Sequence, residues 1–235
     1  MERRNSLNGL FIMLGLVAIA ISIFGAFKSM NNFSRTVTVK GLCEKEVVAD
    51  QVIWPIVYKV GGNNLNEIYK SVTQKNKVII DWLTKSGITA DEISITTPRI
   101  EDLSTNQYSS ERRTFDYIVT SIITVCSNQV MLVKDLMVKQ FSLLDSGIAI
   151  GTGSQWEYPV QFSYNALNEI KPQMIEEATK NARQAAEKFA EDSDSELGKI
   201  RSASQGQFSV TDRDSNTPHI KVVRVVTTVN YTLQD

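Results

Sequence analysis

The stretch WPIVYKV, Trp54–Val60, is followed by NLNEI at Asn64–Ile68. Further along, the chain reads YPVQFSY at Tyr158–Tyr164 and then ALNEI at Ala166–Ile170. An aromatic–Pro strand, a short turn and the same helix start recur in the same order. A catalytic loop has no reason to come in pairs, whereas a duplicated structural unit does. Working outward, the first half reads as a strand from Val48, a helix over 65–86, a strand over 93–100, a polar loop over 102–114 and a β-branched strand, FDYIVTSIITVCS. The second half reads as a strand ending in YPVQFSY, a helix over 172–193, a strand over 200–208, a polar loop over 211–219 and a final strand, IKVVRVVTTVNYTL. The expected fold class is α+β: two β-α-β-β pseudo-repeats, about 48–126 and 148–233, linked by a helix over 129–144.

Local signals support these elements. Pro55 lacks a ladder donor, which places its strand at an edge or a bulge. Asn63 or Asn64 caps the first helix, whose apolar face is Leu65, Ile68, Val72, Ile79 and Leu83, and Gly87 ends it. The linking helix carries Leu132, Val133, Leu136, Met137, Phe141 and Leu144 at helical spacing, with Gly147 as its stop. The strand after it bends around Gly151 and Gly153. Pro172 suits the first turn of the last long helix. That helix turns Met174, Ile175, Ala178, Ala182, Ala185, Phe189 and Ala190 inward, and its alanines imply close packing. Ahead of both repeats, TVTVKGLC alternates as a half-buried strand, with Val37, Val39, Gly41 and Cys43 on one face.

Composition narrows the function. Lys plus Arg is 25 and Asp plus Glu is 26, a formal charge of −1. Such a balance exerts no general pull on nucleic acid. The N-terminus stands apart, because Leu7 to Phe27 carries no charge. At about 1.5 Å per residue a helix of that length reaches about 30 Å, the thickness of a bilayer's hydrocarbon core. Arg3 and Arg4 before it favour a cytoplasmic N-terminus, which Lys28 and Arg35 oppose. The expectation is an anchor and tether over 1–34, single-pass in the inner membrane, with the domain 35–235 in the periplasm. The alternative is a cleaved signal and a soluble periplasmic domain. Ala18, Ser22 and Ala26 form a small-residue stripe on that segment. Cys43 and Cys126 read as two separate buried thiols in strands.

The order of motifs resembles the SIMPL domain family, which includes YggE-like proteins and the Brucella periplasmic immunogen. The resemblance runs over about residues 36–233. Val39, Gly41, Asp50 and Val52 match an initial V-x-G and a later D-x-V. NKVIIDWLTKSGITADEISITTPRI and EEATKNARQAAEKFAEDSDSELGKI match the family's first helix and strand and its Ala-rich helix with Leu-Gly. Ala49-Asp50 stands where the family often has Pro-Asp, and Asp116-Tyr117-Ile118 where it often has Gly-Tyr. The resemblance implies a cell-envelope protein, often oligomeric, with no established catalytic residues and a link to oxidative stress.

No residue set reads as a catalytic, cofactor or metal site. His219 is the single histidine and reads as a solvent-facing loop residue after Pro218. Cys43, Cys126 and His219 lack short-range zinc spacing. GIAIGTGSQ has neither a P-loop nor a Rossmann pattern. Glu176-Glu177 and Glu191-Asp192 read as a solvated helix face, and Glu111–Arg113 as a loop tip. Two functional expectations remain. One is a non-catalytic, anchored, self-associating scaffold, with the Pro55 edge or the loops 102–114 and 211–219 as contacts. The other is a monomeric envelope module that binds an unknown ligand or protein.

Overall fold

The computed structural model describes residues 13–26, 35–104, 114–151 and 157–234. Its elements are helix α1 (13–26), β1 (Thr36–Val48), β2 (Gln51–Gly62), α2 (Leu65–Lys85), β3 (Ile93–Ile95), β4 (Arg99–Asp102), β5 (Tyr117–Ser127), α3 (Val130–Lys139), β6 (Gln161–Ser163), α4 (Leu167–Asp192), β7 (Glu196–Gln205), β8 (Ser209–Asp212) and β9 (Ile220–Gln234). Short 3-10 turns occupy Ala90–Glu92 and Gln140–Ser146. The class is α+β with two antiparallel sheets. The chain divides into two compact units. One combines residues up to Lys45 with Ile170–Ser209 and the chain from Val223, and the other combines Glu46–Glu169 with Val210–Val222.

In the second of these units the sheet order is β3-β5-β2-β6, with β4 also on β5. β2 and β5 pair antiparallel without a break from Val52↔Ser127 to Gly62↔Tyr117. Strand periodicity puts Val52, Trp54, Ile56 and Tyr58 on one face, where all four are buried. They pack in one core with Ile79 and Leu83 of α2 and Val133 and Leu136 of α3. Burial of each such side chain contributes about 2 kcal/mol. The buried Tyr58 hydroxyl finds acceptors on α2, Asn76 Oδ1 at 2.7 Å and the Val72 carbonyl at 3.0 Å. Asn64 caps α2 by accepting from Asn66 N (2.9 Å) and Glu67 N (3.4 Å). Gly87 follows the helix at φ 101°, as a left-handed stop requires.

The other sheet has the order β1-β9-β7, with β8 also on β9. Leu233 N donates to Arg35 O (2.9 Å) and Ala49 N to His219 O (2.8 Å), so β1 and β9 run antiparallel. Val39, Gly41 and Cys43 share the buried face of β1. α4 lies against that face through Ala178, Ala182, Ala186 and Ala190, all buried. A Cβ on Gly41 would sit 1.8 Å from Ala178 O and 2.5 Å from Ala182 N. Only glycine permits this approach of helix backbone to strand.

Several expectations are corrected. The two β-α-β-β repeats were expected to open with matched strands at Pro55 and Pro159, and these two prolines do not occupy matched strands: Pro55 lies in β2 and Pro159 in none. Each sheet places a long strand centrally: β5 between β2 and β3, and β9 between β1 and β7. YPVQFSY is not the second repeat's opening strand. Pro159 lies outside any strand, and only Gln161–Ser163 pairs, against Gln51–Ile53 of β2. α4 starts at Leu167, so Pro172 lies inside it. The earlier start comes from Asp50, whose carboxylate accepts from Asn165 N (2.8 Å) and Ala166 N (2.7 Å). The LNEI repeat therefore marks both helix starts correctly. After Lys139 the linking helix tightens to 3-10, which advances each side chain by about 120° instead of 100°. Leu143 turns inward as a result, and Phe141 and Leu144 are left 71% and 52% exposed. Phe189 is also exposed, because Ala186 and Ala190 take the inner stripe. The strand expected over 93–100 is broken at Thr96–Pro98 into β3 and β4.

α1 is exposed along all of 13–26. The rest of the charge-free run, 7–12 and 27, lies outside the described residues. Among the described residues no helix is long and apolar enough to cross a membrane.

Gly41→Ala is expected to destabilise the domain by about 3 kcal/mol or more, since backbone rather than a side chain must give way. Gly62→Ala meets only the Ile68 side chain, Cγ1 at 3.0 Å and Cδ1 at 3.3 Å, and is expected to stay within about 1 kcal/mol of the parent. Urea denaturation of both variants checks the contrast.

Candidate functional site

The face of β2 that turns away from the core carries Pro55, Val57 and Lys59. Their partners on β5 are Thr124, Ile122 and Thr120. Thr120 also pairs with Arg99 of β4, so Lys59, Thr120 and Arg99 form a row across three strands. Glu101 pairs with Ile118 one row further on. The segment 157–160 runs beside this floor and leads into Gln161, which pairs with Ile53. Together with Phe141 and Leu144 of the 3-10 turn these residues enclose an open groove of about 610 Å³. That size falls within the usual range for small-molecule sites, about 300–1,000 Å³.

β2 is an internal strand, which corrects the expectation of an edge at Pro55. Its second side is paired by β6 only at Gln51–Ile53 and by an isolated bridge from Tyr58 to Ile150. Gly151 N donates to Val57 O across that side (2.7 Å). Backbone direction alternates, so Pro55, two residues earlier, directs its missing donor to the same interrupted side. The proline costs no ladder bond there.

Arg99 Nη1 donates to Glu157 Oε1 at 3.0 Å, and the Tyr158 hydroxyl donates to the same oxygen at 3.1 Å. The pair is exposed, 70% and 49%, so it orients the segment more than it stabilises it. Lys59 and Glu101 have neither an ion pair nor a hydrogen bond among the described residues.

The groove and most of β1 and β9 fall within the match to a family described as SIMPL, "Protein of unknown function (DUF541)", which covers residues 37–230. The chain belongs to the SIMPL family. No curated protein matches it.

The SIMPL domain treats the residues singled out from the sequence unevenly. His219 is buried, 7% exposed, rather than solvent-facing. Its ring lies 6.1 Å from that of Phe162 in β6, and its Nε2 lies 3.1 Å from Lys134 Nζ of α3. An ammonium can only donate, so the neutral imidazole accepts at Nε2. Burial first, then the Lys134 and Arg213 charges, hold its pKa below the ordinary 6.5, against the pull of Asp214. Cys43 is buried as expected, and its thiol donates to Glu177 Oε2 at 3.3 Å. Burial and that carboxylate raise the thiol to about 11. Cys126 is exposed, which corrects its expected burial. Alternation along β5 buries Val125 and Ser127 and turns Cys126 outward. Both cysteines are free. Among the described residues no group of three His, Cys, Asp or Glu side chains could hold a metal.

The loop expected over 211–219 begins later, because Ser209–Asp212 is strand. Its tip folds on itself: Asp214 Oδ1 accepts from Asn216 N and Thr217 N, both at 2.8 Å. Most of the other loop, 105–113, and with it Glu111–Arg113, lies outside the described residues, as does Gly153. Glu191 and Asp192 pair with Lys188 at 3.0 and 3.2 Å, the solvated face that was expected.

The groove itself was missed, although its signal was available. In WPIVYKV the odd positions form a second face, Pro55, Val57 and Lys59, that is too polar for a core and too apolar for plain solvent.

Neutral His219 implies a pH dependence with a definite sign. The unfolded chain takes up a proton as pH falls through about 6.5, whereas the folded domain resists until a lower pH. This contribution is intact above 6.5 and is lost as pH falls from there towards the depressed value. Urea midpoints at pH 7.5 and 5.5 are expected to differ more for the parent than for His219→Gln. An equal drop in both would show that His219 is not the group responsible.

Proposed function

We propose that this SIMPL domain is a non-catalytic binding module of the cell envelope and that it takes a small amphipathic molecule into the groove on the outer face of β2 and β5. The observation that carries the reading is the groove itself, with apolar Pro55, Val57 and Leu144 in the same cavity as Lys59 and Arg99. A binding module is favoured over a self-associating scaffold, because the outer edge of β1 is blunted. Asn181 Nδ2 donates to Leu42 O at 2.8 Å, and Lys40 and Lys45 lie on the strand.

Photoactivation of an alkyl diazirine probe tests the reading on the full chain in nanodiscs. Labelling is expected within 54–59 and 140–160 in addition to 13–26, and Leu144→Glu is expected to suppress the groove sites. Leu144 is half exposed, so the variant should fold. Labelling confined to 13–26 would sink the proposal.

The membrane part of the reading rests on α1, whose Leu16, Ile21 and Phe24 are 62%, 67% and 74% exposed. Lipid around the charge-free run 7–27, with Arg3 and Arg4 on the cytoplasmic side, would satisfy these side chains and hold the domain in the periplasm. A cleaved signal would leave the domain soluble in the same compartment. Protease added to spheroplasts is expected to digest the domain. Digestion only after lysis would place it in the cytoplasm and refute the orientation.

A further inference from the structure

The groove is polarised along its length. Pro55, Val57 and Lys59 follow one another on one face of β2, roughly 7 Å apart at each step. The first two are apolar and the third is a cation. The segment opposite runs the other way. Val160 precedes Gln161, the partner of Ile53, and so lies near the apolar end. Glu157 reaches Arg99, which shares a row with Lys59, and so lies at the charged end. Both walls therefore pass from apolar to charged in the same direction. The apolar surface continues outward, since Phe141 and Val138 are each 71% exposed.

The charged end holds both signs. Lys59, Arg99, Glu101 and Glu157 sum to zero. Arg99 and Glu157 neutralise one another. Lys59 and Glu101, one row apart along the strands, are each left without a partner among the described residues. A purely anionic head would meet Glu101, and a purely cationic head would meet Lys59. A head with one charge of each sign satisfies both.

We infer that the groove takes a single-chain amphiphile with a zwitterionic head, of the lysophospholipid type, its chain along Val57, Pro55 and Val160 and its head between Lys59 and Glu101. This inference rests on the reading of the groove as a binding site and adds the class of ligand. A short extended peptide also carries both charges. It is disfavoured because Pro55 removes the backbone donor on the one interrupted side of β2, where peptide pairing would need it.

The test is competition against the diazirine labelling of 54–59 and 140–160 in the full chain. Three amphiphiles of equal chain length are compared: lysophosphatidylethanolamine, lysophosphatidylglycerol and an alkyltrimethylammonium. The zwitterion is expected to halve groove labelling at a concentration at least tenfold lower than either of the others. Glu101→Gln is expected to raise the potency of the anionic competitor, and Lys59→Gln that of the cationic one. Both side chains are exposed, and a merely structural role would not exchange headgroup preference in opposite directions. Equal potency of all three heads overturns the inference but leaves the binding reading standing. Unchanged preferences in the two variants do the same, as does suppression by an extended hydrophobic tripeptide and not by lysolipid. If the groove is never labelled, both readings fall.

Discussion

The hydroxyl of Tyr58 decides where every other residue of β2 points. It is buried, and it meets acceptors on α2 only when position 58 faces the helix. A slip of one residue would turn Lys59 and Pro55 into the core and expose Trp54 and Ile56. Burying an unpaired ammonium is far costlier than any ladder bond regained. Ser121 reinforces the setting from β5, since its hydroxyl donates to the same Asn76 oxygen at 3.0 Å. The groove is the reverse side of this arrangement. Its floor is fixed because the opposite face has no second way to pack.

The other sheet meets the same demand by different means. α2 is held off its sheet by Ile79 and Leu83, whereas α4 brings its own backbone against Gly41. The first solution gains stability from large side chains filling the space between layers. The second gains it from close contact between main chains, and it tolerates no added atom on the strand. The two units thus differ in which changes they can absorb.

What could be read from the sequence was mostly local. LNEI marks two helix starts because capping acts over three or four residues, although Asp50, which serves the second start, is remote in sequence. Reading failed where the deciding partner was distant. YPVQFSY has the look of a strand like β2, yet only Gln161–Ser163 pairs, and it pairs with β2 itself. His219 sits among polar neighbours after a proline, and nothing nearby announces that Lys134 and Phe162 will enclose it. Phe141 and Leu144 fit a helical period that the chain abandons after Lys139. The groove was hidden for a related reason. Its walls come from β2, β4 and the segments 140–151 and 157–160, and no single stretch contains enough of them to be recognised.

The pairing of β1 with β9 has a consequence for how the chain is made. Arg35 and Leu233 are joined by a backbone hydrogen bond, so the first strand of the domain finds its partner only in the domain's final strand, made after every other element of the fold. Residues 46–169 can collapse during synthesis, because β2, α2 and β5 lie close together along the chain. The β1 stretch has no such neighbour and must remain unpaired until β9 has been made. Closing so long a loop adds little entropy penalty per extra residue but slows the search for the partner. The delay leaves the unit built on β1 and β9 open while the unit around β2 and β5 is already able to close.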